Sequence, residues 1–224
     1  MSKERRKDNK ELRQKKTKLV QGVGINDANY ITQLFEIVEG TYTSGKSKQR
    51  QTWVCVYYRR WKNMLSRCYN PSTQKSQPTY IGCTVCDEWL TFSNFRRWMS
   101  SQEWEGLHLD KDLLVRGNKE YSPETCVFIH KKVNLFTNTR EAARGRYLIG
   151  CHLNKRSGNL RGQIKNPLTG KCEMLGHYDT ELEAHLAWKK RKHELSCELA
   201  DSKYVTDLRL AEALRNRYKE IIDE

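Results

Sequence analysis

The chain has 224 residues, 37% of them apolar and 30% charged, which allows one large domain or two small ones with compact cores. No run approaches the ~18–20 unbroken apolar residues of a membrane span, and the Met-Ser-Lys-Glu-Arg-Arg opening lacks a signal-peptide hydrophobic region, so a secreted or transmembrane protein is not expected. Against 27 acidic residues stand 41 Lys and Arg, a net charge of +14, an excess that points to a polyanion.

In chain order, residues 1–18 carry nine basic and three acidic side chains, with Leu12 the only strongly apolar residue after Met1. This reads as a basic arm, disordered until bound, either one that contacts DNA or a solvated, partly helical tail. Gly22 to Asp27 is a turn-rich stretch without the glycines and Lys-Ser/Thr of a phosphate loop, and residues 19–52 have no assigned role. Residues 53–104 hold five of the six tryptophans. Tyr57, Trp61, Leu65 and Cys68 recur at helical spacing, with Arg59, Arg60, Lys62 and Arg67 on the remaining face. Phe92, Phe95 and Trp98 repeat the pattern on a second helix. The aromatic stripes read as core, and Arg59 and Arg60 as phosphate contacts or a solvated face.

Eight cysteines without an export signal suggest thiols or metal ligands rather than disulfides. Cys83-Thr-Val-Cys86 has the spacing of a zinc clasp, which Cys68 and Cys126 would complete to a tetrahedral shell. Buried free cysteines are the alternative.

Leu107 to Leu114 alternates apolar with polar residues, predicting a strand with Leu107, Leu109 and Leu113 inward and His108, Asp110 and Asp112 on the other face. Arg116 to Glu124 is turn-rich, Thr125 to His130 reads as a second strand, and Lys131 to Thr137 as a short helix bearing Asn134. The order is ββα. Residues 138–146 form a polar linker. Beyond it, Tyr147–Leu153, Asn159–Lys165 and Lys171–His177 read as strands, Glu181–Leu199 as a helix that packs on them, and Asp207–Ile222 as a final amphipathic helix. The expected fold class is α+β. Its parts are the arm at 1–18, a ββα-bearing domain at 19–137, the linker at 138–146 and a sheet-plus-helix domain at 147–224.

A histidine beside two carboxylates suits metal-assisted phosphodiester hydrolysis. The imidazole takes a proton from the attacking water, and carboxylates supply hard oxygen ligands for Mg²⁺. An Asn on the following helix adds a neutral oxygen. An ordinary polar strand face would show the same alternation. In the next module Arg161, Gln163 and Lys165 share one face of a strand, where Arg reads guanine and Gln adenine in a major groove; an exposed polar sheet face is again the alternative.

Leu-Asp-Lys-Asp (109–112), Gly-Asn-Lys (117–119) and Tyr-Ser-Pro-Glu-Thr-Cys (121–126), with Trp-Lys-Asn-Met-Leu-Ser-Arg-Cys-Tyr-Asn (61–70) and Cys-Asp-Glu-Trp-Leu-Thr-Phe-Ser-Asn-Phe (86–95), resemble a bacteriophage subfamily of HNH (His-Me finger) endonucleases over roughly residues 53–137. The resemblance implies a ββα-metal module with His108 as general base, Asp110 following in register, and Asn134 as the metal-binding residue of the helix. A second register makes Asp110 the metal ligand and puts Lys111 at the base position. The chain departs from the family's pattern at Leu107, where an acidic ligand is common, and at Thr125-Cys126. Asp110, Asp112 and Asn134 are the expected Mg²⁺ (or Mn²⁺) ligands.

Gly-Cys-His-Leu-Asn-Lys (150–155), Leu-Arg-Gly-Gln-Ile (160–164), Leu-Gly-His-Tyr-Asp-Thr (175–180) and Glu-Leu-Glu-Ala-His-Leu-Ala-Trp (181–188) are similar to the APETALA-type (ethylene-response-factor-like) DNA-binding domain. That likeness implies a DNA face of His152, Asn154, Arg156, Arg161, Gln163 and Lys165. The expectation is a metal-dependent DNA endonuclease of homing or nicking type, phage-encoded and acting on double-stranded DNA in the host bacterial cytoplasm without membrane contact. The alternatives are a DNA-binding regulator on a degenerate HNH scaffold and an inhibitor of a host factor.

Overall fold

A computed structural model of the chain describes residues 18–41, 45, 47–138, 146–155 and 158–219. Nearly all of the expected basic arm, most of the expected linker, Arg156 and the end of the expected last helix lie outside the described residues. The chain is mixed α+β and divides into two compact units, Met1–Ser101 and Gln102–Glu224. The division falls inside the stretch read from the sequence as one nuclease domain.

In the first unit, residues 19–52, which carried no sequence assignment, supply most of an antiparallel hairpin. Its strands are β1 (Gln33–Thr41) and β2 (Ser47–Val54), with Leu34 opposite Trp53, Glu36 opposite Arg50 and Ile37 opposite Gln49. Arg50 Nε donates to Glu36 across the pair. Helix α1 (Val56–Tyr69) buries Tyr58, Trp61, Met64, Leu65 and Cys68, a stripe recurring every three to four residues as an amphipathic helix requires. The expected stripe began at Tyr57; the buried ring is Tyr58, one position on, because it meets Phe92 edge-on at 5.4 Å. Asn70 ends α1 in an extended conformation before Pro71, as the steric demand of a following proline dictates. Its side chain accepts from the Ser72 and Thr73 amides and starts α2 (Pro71–Ser76).

After the two-residue strand β3 (Thr84–Val85) comes α3 (Phe92–Ser100), which buries Phe92, Phe95 and Met99. Trp98, expected in that stripe, is half-buried, with its ring 4.4 Å from that of Trp89. The indole of Trp61 donates to the Trp89 carbonyl at 2.7 Å inside this aromatic core. The turn-rich stretch near Gly22 packs backbone against α1: a Cβ at Gly24 would lie 2.4 Å from Leu65 and 2.8 Å from Trp61.

The second unit begins with β4 (His108–Asp110), followed by β5 (Glu120–Tyr121), β6 (Val127–Ile129) and α4 (Lys131–Thr137). Strands β4 and β6 pair antiparallel, with His108 opposite Ile129 and Asp110 opposite Val127. The alternation over Leu107–Leu114 predicts a longer strand. It stops at Asp110 because that carboxylate accepts from the Asp112 and Leu113 amides and turns the chain, an aspartate turn competing with the strand ladder.

Strands β7 (Cys151–Leu153), β8 (Leu160–Lys165) and β9 (Cys172–Tyr178) form a sheet in that order, all antiparallel. The first is shorter than expected, since residues 146–150 run as bends and turns. Helices α5 (Glu181–Ala200) and α6 (Leu208–Arg217) complete the unit, α5 opening on a capping box between Thr180 and Glu183. Val127, Ile129 and Val133 pack with Ile164, Leu195, Leu199, Leu210 and Leu214 in one apolar cluster. The two modules expected on either side of residues 138–146 therefore share a core. No helix among the described residues is long and apolar enough to cross a membrane.

Candidate functional site

The ββα segment places His108 on β4, exposed, and Asn134 on α4, half-buried. His108 and Asp110 are two apart on one short strand and so share a face. Asp112 lies beyond the strand, in the turn that Asp110 holds. The two carboxylates are nonetheless neighbours: burial first, and then the Asp112 charge, push the Asp110 carboxyl above its ordinary value, opposed by the two backbone amides it accepts.

Lys111 is buried among these groups. Its ammonium donates to Asp112 at 3.0 Å and to the Asn118 carbonyl at 2.9 Å, and lies 5.9 Å from the centre of the Tyr121 ring. Asn118 closes the loop from the other side by donating to the Lys111 and Glu120 carbonyls. The structure thus joins three of the five expected catalytic residues, Asp110, Lys111 and Asp112. Lys111 sits there as a cation neutralising Asp112 and tying the loop together.

Two adjacent carboxylates, one of them raised in pKa, form a donor set that fits Mg²⁺, which takes one or two protein carboxylates and fills its remaining positions with water and phosphate oxygens. A bound cation would offset both the burial and the Asp112 charge that raise Asp110. Of the four cysteines expected to hold zinc, Cys68 and Cys83 are buried with their thiols directed at the Thr84 and Thr79 carbonyls, Cys86 is half-buried and Cys126 is buried. Among the described residues no group of three or more His, Cys, Asp or Glu side chains could hold a metal ion.

On the sheet, β8 alternates as its sequence predicts. Gly162 and Ile164 are buried, while Arg161 and Gln163 are half-buried and Lys165 exposed on the opposite face. Gly162 packs closely: a Cβ there would stand 3.0 Å from the Tyr178 ring and 3.3 Å from the Ala184 carbonyl. His152 lies opposite Arg161 on β7 and is exposed; burial and then the Arg161 charge lower its pKa. Asn154 follows at the β7 end, half-buried, its amide donating to the Asn159 carbonyl. Among the described residues the buried Arg161 Nε has no hydrogen-bond partner.

A bulge in β9 skips Leu175 in the pairing, so that His177 opposes Arg161 and Met174 opposes Gln163. These two exposed residues join the polar face unforeseen, because a bulge reverses the alternation on which a sequence reading rests. In the first unit, Arg59 is exposed, and Arg60 is half-buried with its pKa lowered by burial and by the charges of Arg59 and Arg67. A second missed feature is a cleft of about 500 Å³ beside Leu113 and Leu114, into which Arg116, Arg209 and Arg217 contribute along with Glu124 and Glu212. Only the fold could have revealed it, since Arg116 is about a hundred residues from the α6 arginines.

Comparison with known proteins brings no relative: no protein-family model, no curated protein and no solved structure matches the chain.

Proposed function

We propose that the chain is a divalent-metal-dependent DNA endonuclease of the HNH type, a nicking or homing enzyme of phage origin working in the host cytoplasm. The observation that carries this reading is the Asp110–Asp112 pair at the end of a two-stranded antiparallel unit, followed at once by the helix that bears Asn134. Asp110 and Asp112 hold Mg²⁺ or Mn²⁺, with the Asn134 amide oxygen as a neutral ligand. The cation, when bound, neutralises charge on the scissile phosphate and leaving oxygen. His108, exposed on the same strand face as Asp110, takes the proton from the attacking water. Lys111 holds Asp112 in place. Arg161, Gln163, Lys165 and His152 position duplex DNA, with Arg59 and Arg60 as further phosphate contacts.

Nicking of supercoiled plasmid in Mg²⁺ or Mn²⁺ tests the proposal. Activity lost in His108→Ala, Asp110→Asn and Asn134→Ala, with DNA binding retained, is the expected result. One observation favours a second reading, a DNA-binding regulator without cleavage: Asp110 and Lys111 are both engaged in holding the loop, a role that needs no metal. Tight, salt-dependent DNA binding with no strand cut on phage or host DNA would select it.

A further inference from the structure

Helix α5 carries a buried charged residue that neither the metal site nor the sheet face uses. Lys192 is buried, and its ammonium donates to the Phe136 carbonyl at 2.5 Å and lies 3.4 Å from the Phe136 ring centre, 5.2 Å from that of Tyr218 and 5.8 Å from that of Trp188. Aromatic faces attract a cation, but they are weaker compensation than a carboxylate. Burial, and then the charge of Arg217, push its pKa down to about 7. Among the described residues no carboxylate pairs with this ammonium.

The same side chain lines a cavity of about 570 Å³ within the second unit, a size ordinary for small-molecule sites. Its wall is apolar at Leu135, Phe136, Pro167 and Trp188, and Lys165 and Lys132 line it as well. The described lining therefore holds three ammonium groups and no carboxylate. Lys132 already donates to two oxygens, the Leu168 carbonyl and the Tyr204 hydroxyl, and Lys192 to one, the Phe136 carbonyl, so Lys192 and Lys165 keep more donors to meet a ligand. Trp188 is held in place from behind: a Cβ at Gly150 would fall 2.1 Å from its ring, and His185 stacks on it with the planes 10° apart. Leu135 is 58% exposed, an apolar side chain kept in water at the rim.

We propose that this cavity binds a small planar aromatic anion, with the ring against Trp188 and Leu135 and the carboxylate or phosphate supplying the counter-ion of Lys192. The assignment does not depend on the nuclease reading. Aromatic carboxylates and mononucleotides share this chemistry, and the two are separated by using both as probes.

The experiment follows Trp fluorescence and calorimetry on the full chain with 2-naphthoate, thymidine 5′-monophosphate and the neutral 2-naphthalenemethanol. The expected result is saturable binding of at least one anion, weakened about tenfold or more in Lys192→Met, with the neutral alcohol weaker by a similar factor. Leu135→Glu, a change at an exposed position, keeps the fold and sets a like charge at the mouth, so it also weakens the anion; it decides the matter if Lys192→Met does not fold. Preference for naphthoate identifies a free aromatic acid, and preference for the mononucleotide a nucleotide. Equal binding of the alcohol, unchanged binding in a folded Lys192→Met or in Leu135→Glu, or no binding of either anion at millimolar concentration overturns the proposal.

Discussion

Segments 108–137 and 151–200 treat polar side chains in opposite ways. In the first, polar groups turn inward and are used on the backbone: Asp110 caps a turn, Lys111 reaches the Asn118 carbonyl, and Asn118 returns two bonds. In the second, the sheet buries Gly162 and Ile164 and turns Arg161, Gln163 and Lys165 outward, away from its own backbone. Asn166 and Ser196 are buried there as well, each bonded to backbone, and Lys192 is the charged exception, buried with a carbonyl and three rings in place of a carboxylate. The lesson is one of assignment. A charged residue in the first segment must be tested for structure before chemistry, whereas those on the sheet face can be changed with little effect on the fold.

The largest effect should come from the exception. Because the folded pKa of Lys192 is depressed, the unfolded chain binds more protons above about pH 7, and stability rises with pH from there towards the ordinary lysine value. The window closes near pH 10, where the buried Tyr218 phenol, pushed up mainly by burial, begins to act in the opposite direction. Between those limits the gain is roughly 3–4 kcal/mol. Urea denaturation across that range should show the slope in the native sequence and lose it in Lys192→Met.

Next in size is the turn at the end of β4. Asp110→Ala removes the acceptor for two backbone amides and should lower stability by about 2 kcal/mol. Asp110→Asn keeps an acceptor oxygen and discards a carboxylate that burial and Asp112 disfavour, so chemical denaturation should find it at least as stable as the native chain near neutral pH. Loss of plasmid nicking in this stable variant would separate metal chemistry from loop structure. If Asp110→Asn cuts normally, the proposed metal site is wrong.

A smaller effect is expected at the start of α5, where Thr180 accepts from the Glu183 amide and Glu183 accepts from the Thr180 amide. Thr180→Ala should cost about 1 kcal/mol by thermal unfolding.

The smallest stability change, within about 0.5 kcal/mol, belongs to Lys165→Ala on the exposed sheet face. There DNA affinity should fall, and the slope of binding against salt should drop by about one. Gln163→Ala should instead alter base preference, by about 1–3 kcal/mol at one position. A large loss of stability in either variant would break the contrast between the segments.

Much of the architecture was legible in the residues. The helix over 131–137 coincides with α4, the three-strand reading of 147–177 recovers β7 to β9 with shifted ends, and the arginine, glutamine and lysine of β8 face together as alternation requires. The candidate site was legible only in part. Periodicity placed His108 and Asp110 together, but it extended the strand to include Asp112, because a side chain bonding its own backbone two residues on leaves no mark in an apolar–polar pattern. Lys111 was read as chemistry, and its burial follows from partners seven and ten residues away at Asn118 and Tyr121.

The sequence by itself determined the α+β class, most of the helices, the three strands after residue 146 and the net charge of +14, since each depends on composition or on residues a few positions apart. Only the tertiary structure decided which charges face water. It alone brought Val133 to Leu195 and Leu214 in one core, Met174 and His177 onto the sheet face, and Lys192 beneath Phe136, 56 residues away. The physical reason is that burial and pairing are set by whichever segments meet across the fold, and a local pattern cannot say which those are.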